Sequence, residues 1–219
     1  MLTKRFHQLQ TKVAAHVAAD RVKQGSYKTC FIGCLANRED SPEFIQREYG
    51  IPLAVSRIAE VIFERLPSDE APAFFAAFPD AIQCNRKDLS RVVWQFLAAE
   101  LRSLPPVTPE VQAIIDTVAT GMDLLAEGKE WPKEDAIATA LSARAAGAAG
   151  WAASAAGWAA SAAEWASSAD KIAGWAASAA GRAARAAVNA ADGFDARSRQ
   201  RDLLLKLIKE APITQQEDQ

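Results

Sequence analysis

The feature that most restricts the fold is an alanine-rich segment in which tryptophan returns every seven residues. Residues 151–165 read WAASAAGWAASAAEW, and 26 of the 49 residues from Ala143 to Ala191 are alanine. Alanine has the highest intrinsic helix propensity, so we predict that residues 134–191 are almost wholly helical, as one rod or as two pieces. At helical spacing the large side chains of this segment form a ridge on one side, consisting of Trp151, Trp158, Trp165, Ile172 and Trp175.

This tryptophan ridge needs a surface to pack against, because a continuous strip of exposed indoles marks an interface. Four occupants are conceivable: helices of the same assembly, a foreign protein, a lipid bilayer or ice. Alanine, glycine and serine are weakly hydrophobic and the tryptophans do not form end belts, which disfavours a membrane span; a regular threonine repeat for ice binding is missing. A straight helix over residues 143–191 would span roughly 75 Å, more than a short head can cover, so its distal part would need a second copy or a target. We therefore expect the ridge to be buried within a homo-oligomer and function to lie in binding.

The remainder of the chain predicts short helices with clear start and stop signals. Residues 41–43 (SPE) and 108–110 (TPE) each combine an N-cap with proline at the first helical position, and Gly25 and Gly50 predict helix ends. No alternating run of β-branched residues indicates a strand, so the predicted fold class is all-α. We predict a multi-helix head at residues 1–130 and an alanine-rich helical segment at 131–192. An amphipathic helix with a frayed tail follows at 193–219, and its apolar face comprises Leu203, Leu204, Leu207 and Ile208.

Charge and cysteine usage narrow the classes of partner. The net charge is −2, and the 50 residues from 143 to 192 carry four basic and three acidic side chains. The sequence lacks the stripe of basic residues that is typical of nucleic-acid-binding proteins, so we expect no nucleic-acid partner. The N-terminal sequence lacks the apolar core of a secretory signal and three cysteines do not make a disulfide framework, so we expect a cytoplasmic protein with reduced thiols.

A second candidate site lies in residues 16–34, which contain a histidine, a carboxylate and two thiols. His16 and Asp20 are four residues apart in the predicted first helix, as are Cys30 and Cys34 in the next, so each pair is expected to share a face. A thiol with a base and an orienting acid is the minimum set for nucleophilic catalysis. With Cys84, the same residues offer three thiols and an imidazole to zinc. Because free cysteines are often buried, we favour packing and predict no metal or cofactor.

Five short motifs carry a resemblance to a known family. They are His16-x-x-Ala19-Asp20, Gly25-x-Tyr27, Cys30-x-x-Gly33-Cys34-Leu35, Tyr49-Gly50-Ile51-Pro52 and Ile62-Phe63-Glu64-x-Leu66-Pro67. Over most of the chain the sequence resembles a family of uncharacterised proteins from bacteriophages and bacteria, whose members also carry an alanine-rich tail studded with tryptophan or tyrosine. Asn37 stands where the family pattern leads us to expect histidine, which weakens a metal or catalytic interpretation there. The resemblance implies a phage or prophage accessory role in the host cytoplasm.

The sequence and the resemblance together predict a non-enzymatic helical interaction protein that binds a host protein, for example as an antagonist of a defence system. Two alternatives stay open. One is a thiol-dependent enzyme that uses Cys30 or Cys34 with His16. The other is a sponge whose helices enclose a small signalling ligand.

Overall fold

The architecture is helical, as the sequence predicts. The computed structural model describes residues 1–26, 28–36, 42–146 and 194–215. It also describes seven single positions, each of which is helical: 156, 158, 159, 161, 182, 186 and 189. Over this part of the chain the helices are α1 (Phe6–Ala18), α2 (Phe31–Ala36), α3 (Pro42–Tyr49), α4 (Leu53–Arg65), α5 (Ala71–Ile82), α6 (Val92–Arg102), α7 (Pro109–Ala126), α8 (Lys133–Ala146) and α9 (Phe194–Glu210). Extended pairing in these residues is limited to two isolated bridges, Leu2 with Asp88 and Lys87 with Ile213.

Proline and glycine set several helix ends where the sequence predicts them. Helix α3 begins at Pro42 and is followed by Gly50, whose φ of 68° is left-handed. Helix α7 begins at Pro109, and the hydroxyl of Thr108 accepts a hydrogen bond from the Val111 amide at 3.5 Å. The predicted stop of α1 at Gly25 is wrong, because the helix already ends at Ala18.

The chain divides into two compact units. The first unit comprises residues 1–92 and 198–219, and the second comprises residues 93–197. Helices α6 (from Val93), α7 and α8 lie in the second unit, and most of α9 lies in the first. Helical periodicity shows which face of a helix is apolar, but it does not show which helices share a core.

The core of the first unit is built around Phe31, at the start of the short helix α2. Its ring lies 5.0 to 6.3 Å from the rings of Phe63 on α4 and of Phe74, Phe75 and Phe78 on α5. All five side chains are at most 1% exposed. Aromatic pairs at these separations add to the hydrophobic stabilisation that burial itself provides. This cluster fixes α2, and with it the two cysteines of the candidate thiol site.

Residues 1–3 and residues 212–215 both pack against residues 86–88 of the first unit. The Thr3 amide donates to the Lys87 carbonyl at 2.9 Å, and the Thr214 amide donates to the Arg86 carbonyl at 3.0 Å. The Arg86 guanidinium also donates to the carbonyls of Thr214 and Gln215, at 2.9 and 3.0 Å. Residues 212–215 are thus paired, although the sequence predicts a frayed tail. The pairing uses main-chain hydrogen bonds, which leave no apolar pattern in the sequence. Residues 216–219 lie outside the described part.

In the second unit, small residues allow close helix packing. Ala136, Ala140 and Ala143 form a stripe on α8 that is 1% exposed at each position. Between α7 and α8, the buried indole of Trp131 lies directly on Gly121 of α7, where any larger side chain would overlap the ring. In the described part of this unit, alanine and glycine thus lie at closely packed positions, as where the Trp131 indole contacts Gly121.

Candidate functional site

His16, the candidate base, lies half-buried on α1 and is not engaged as a catalytic base requires. Its Nδ1 atom is buried without a hydrogen-bond partner. Burial lowers the pKa of His16 below its usual 6.5, and the positive charges of Lys12 and Arg21 lower it further. The imidazole is therefore neutral near pH 7, but among the described residues no hydrogen bond to Nδ1 orients it.

Asp20, the candidate orienting acid, does not share a helical face with His16. This prediction is wrong because α1 ends at Ala18, so that Asp20 lies beyond the helix with a left-handed φ of 49°. Its side chain is 93% exposed and lies 3.8 Å from the ammonium of Lys23. The carboxylate is therefore a solvated surface group.

The two thiols lie on one helical turn and are buried, as predicted. The Cys34 amide donates to the Cys30 carbonyl at 3.0 Å, and the two residues are 0% and 7% exposed. The Cys34 thiol donates to the Thr29 carbonyl at 3.3 Å. Burial, followed by the neighbouring Cys30, raises the pKa of Cys34 to about 11, so this thiol is protonated at neutral pH.

Cys30 has a more polar neighbourhood than Cys34. Its sulfur accepts a hydrogen bond from the Gly33 amide at 3.3 Å and lies 4.0 Å from a carboxylate oxygen of Glu60. Glu60 in turn pairs with Arg57 at 2.9 Å. The Cys30 sulfur thus has polar neighbours, although the residue is buried.

Cys84 follows α5, is half-buried, and accepts a hydrogen bond at its carbonyl from the Thr3 hydroxyl at 2.9 Å. His16, Cys30, Cys34 and Cys84 are all described, and no group of three metal-ligating side chains assembles within the described part of the chain. The residues around α2 therefore bury the thiols of Cys30 and Cys34 in a packed core.

Trp158 is the member of the predicted tryptophan ridge that the structure describes; Trp151, Trp165, Ile172 and Trp175 lie outside the described residues. Its side chain is half-buried, so the prediction of a buried ridge holds there only in part. The small residues near it are covered more completely, because Ala156, Ala159 and Ser161 are each 0% exposed. At the described positions of this region, burial is therefore complete at the small side chains and partial at the indole.

Arg182 covers one face of the Trp158 indole. Its guanidinium carbon lies 4.6 Å from the ring centroid, a cation–π geometry, and the arginine itself is exposed. On one straight helix, residues 24 positions apart would be separated by about 36 Å. Trp158 and Arg182 therefore do not lie on one straight helix.

Arg182 was not singled out from the sequence, and no local signal identifies it. It lies in the run GRAARAAV, where periodicity marks it as one of two similar arginines. Its contact with Trp158 depends on how distant parts of the segment come together.

Comparisons with known proteins add no identification: no known protein family, no curated protein and no solved structure matches the chain. The resemblance to phage and bacterial proteins therefore stays a prediction. Among the helices in the described part, none is both long enough and apolar enough to cross a bilayer.

Proposed function

We propose that this chain is a non-enzymatic helical interaction protein that binds a host protein through the side of its alanine-rich segment that carries Trp158. The proposal is carried by the burial pattern around this residue. The indole is half-buried, with the Arg182 guanidinium over one face, whereas nearby small residues are fully covered. Tryptophan and arginine are the residue types most enriched at binding hot spots, where truncation costs the most affinity.

The thiol chemistry considered as an alternative has weaker support. Nucleophilic attack requires a thiolate, but burial raises the pKa of Cys34 to about 11. The Nδ1 atom of His16 has no partner, and Asp20 is exposed near Lys23 instead of orienting the imidazole. For the sponge alternative, no observation within the described residues favours an enclosed ligand.

Self-association remains part of the proposal, because a second copy is one surface that can cover the indole. The balanced charge of the chain disfavours nucleic acid as the partner. The phage and bacterial resemblance directs the proposal at a protein of the host cytoplasm, and a component of a defence system is one example.

Affinity capture with matched tryptophan variants tests the proposal. Tagged wild-type protein, Trp158→Ala and Trp94→Ala are each incubated with native host lysate, after circular dichroism and thermal melting have shown that all three are folded. Trp94 is a suitable control because it is also half-buried and lies on α6 of the same unit. We expect wild type and Trp94→Ala to retain the same host protein and Trp158→Ala to lose it.

Light scattering of the purified wild type, in parallel, measures whether the protein is oligomeric. Capture of the same host protein by the wild type and by both variants would show that Trp158 is not at the interface. Absence of any specific host protein from the wild-type sample would contradict the proposed function.

A further inference from the structure

The Trp158–Arg182 pair combines an exposed cation with a partly exposed aromatic ring. The guanidinium carbon of Arg182 lies 4.6 Å from the centroid of the Trp158 ring. No carboxylate within the described part of the chain forms an ion pair with Arg182, whereas Arg102 of the same unit pairs with Asp123. The positive charge at position 182 is thus not neutralised by the described residues.

A cation–π contact has a chemical consequence for recognition. The guanidinium is a planar fork of five N–H donors, and the aromatic face beneath it supplies no carboxylate or carbonyl oxygen to accept from them. Two of these donors match the two oxygens of a carboxylate. The half-buried indole beneath supplies an apolar surface directly beside that cation.

We propose that Trp158 and Arg182 form a composite docking site for an acidic segment of the partner protein, an inference that rests on the proposed function. A carboxylate of the partner binds the edge of the Arg182 guanidinium, and an adjacent apolar side chain covers the exposed part of the Trp158 indole. The site therefore selects an aspartate or glutamate that lies next to an apolar residue.

Charge complementarity favours a protein carboxylate over a nucleic-acid phosphate. A phosphate backbone requires several cations along its path, and its affinity grows with their number. Residues 143–192 carry four basic and three acidic side chains, and the whole chain has a net charge of −2. One unneutralised arginine beside an indole matches a single carboxylate in an apolar context.

Photo-crosslinking followed by charge reversal tests this inference. Benzoylphenylalanine is placed at position 158, where it keeps an aromatic side chain, and this variant is first shown to retain the same host protein as the wild type in capture from lysate. The crosslinked peptide of the partner is sequenced by mass spectrometry. We expect it to contain an aspartate or glutamate within a few residues of an apolar crosslinking position.

Binding of the purified partner then measures the role of the charge. We expect Arg182→Glu to weaken binding by at least about tenfold, because a close charge pair becomes repulsive. Arg182→Lys retains the charge but loses the planar fork, so we expect a smaller loss. Lys133→Glu is the control, since it makes the same charge change at an exposed position of the same unit and should alter affinity less than about threefold. Replacing the partner's acidic residue with arginine should restore binding to Arg182→Glu.

Three results would overturn the docking site while leaving the captured partner, and hence the proposed function, intact. They are a crosslinked peptide without an acidic residue, a crosslink to a second copy of this chain, and equal effects of Arg182→Glu and Lys133→Glu in folded proteins. Failure of the wild type to retain any host protein would instead remove the proposed function on which this inference rests.

Discussion

Lys87 is a buried cation in the first unit, and its replacement should be strongly destabilising. The residue is 1% exposed, and its ammonium donates to the carbonyl of Lys209 at 2.7 Å, the amide oxygen of Gln83 at 3.1 Å and the carbonyl of Ala81 at 3.3 Å. Ala81 and Lys209 lie in the last turns of α5 and α9, where the helix dipoles are negative. One ammonium thus joins the carboxyl ends of two helices.

The magnitude follows from opposing contributions. A hydrogen bond from a charged donor contributes about 1.5–3 kcal/mol, and three are present. Removing the ammonium from water offsets several kcal/mol of that sum, and this same desolvation lowers the pKa of Lys87 below its usual value. For Lys87→Met, which keeps the volume but leaves the acceptors unpaired, we expect a net loss of about 2–4 kcal/mol in the free energy of unfolding.

Urea unfolding followed by circular dichroism measures this change. Lys206→Met is the matched control, because Lys206 is exposed on α9 and its replacement should alter stability by less than about 0.5 kcal/mol. A loss below about 1 kcal/mol for Lys87→Met, with an unchanged dependence on urea, would show that desolvation cancels the hydrogen bonds and would refute this reasoning.

Three further predictions concern packing, pH and thiol reactivity. Gly121→Ala should destabilise the protein by about 1–3 kcal/mol in urea unfolding, because the added methyl group overlaps the Trp131 indole, whereas the exposed neighbour Thr120→Ala should have little effect; equal effects would contradict the packing. The pKa of His16 is lowered on folding, so between that lowered pKa and 6.5 the unfolded state binds more protons than the folded state. The free energy of unfolding should therefore fall as the pH drops below about 6.5. His16→Gln should reduce this pH dependence, and an unchanged pH dependence would contradict the prediction. Cys34, with its pKa raised to about 11, should react with a maleimide at pH 7.5 only as fast as the protein unfolds, and rapid labelling of Cys34 in the native state would revive the thiol-enzyme alternative.

The sequence predicts local features well because the residues responsible act locally. Proline at the first helical position sets the starts of α3 and α7, and the left-handed Gly50 follows the end of α3. The end of α1 is missed because a non-glycine residue, Asp20, adopts the left-handed conformation. Asparagine and aspartate take that conformation more readily than other non-glycine residues, which is the signal that would have suggested it.

The candidate sites depend on contacts between distant residues, and these were predicted only in part. Burial of Cys30 and Cys34 follows from their apolar surroundings, but the loss of Asp20 from the predicted catalytic set follows from a helix end. The heptad pattern identified Trp158 but not Arg182, because a pairing across 24 residues has no periodic signal. Nor does the heptad show that nearby alanines are buried more completely than the indole, since close packing of methyl groups is decided by neighbouring helices.

The claim that Trp158 lies at a protein-binding surface is tested most directly by the affinity of the purified host partner for two tryptophan variants. Isothermal titration calorimetry gives the Kd of wild type, Trp158→Ala and Trp94→Ala, each first shown to be folded by its thermal melt. A hot-spot tryptophan contributes at least about 2 kcal/mol, so Trp158→Ala should raise the Kd by about 30-fold or more, while Trp94→Ala should change it by less than about threefold. Equal Kd values for wild type and a folded Trp158→Ala would contradict the account.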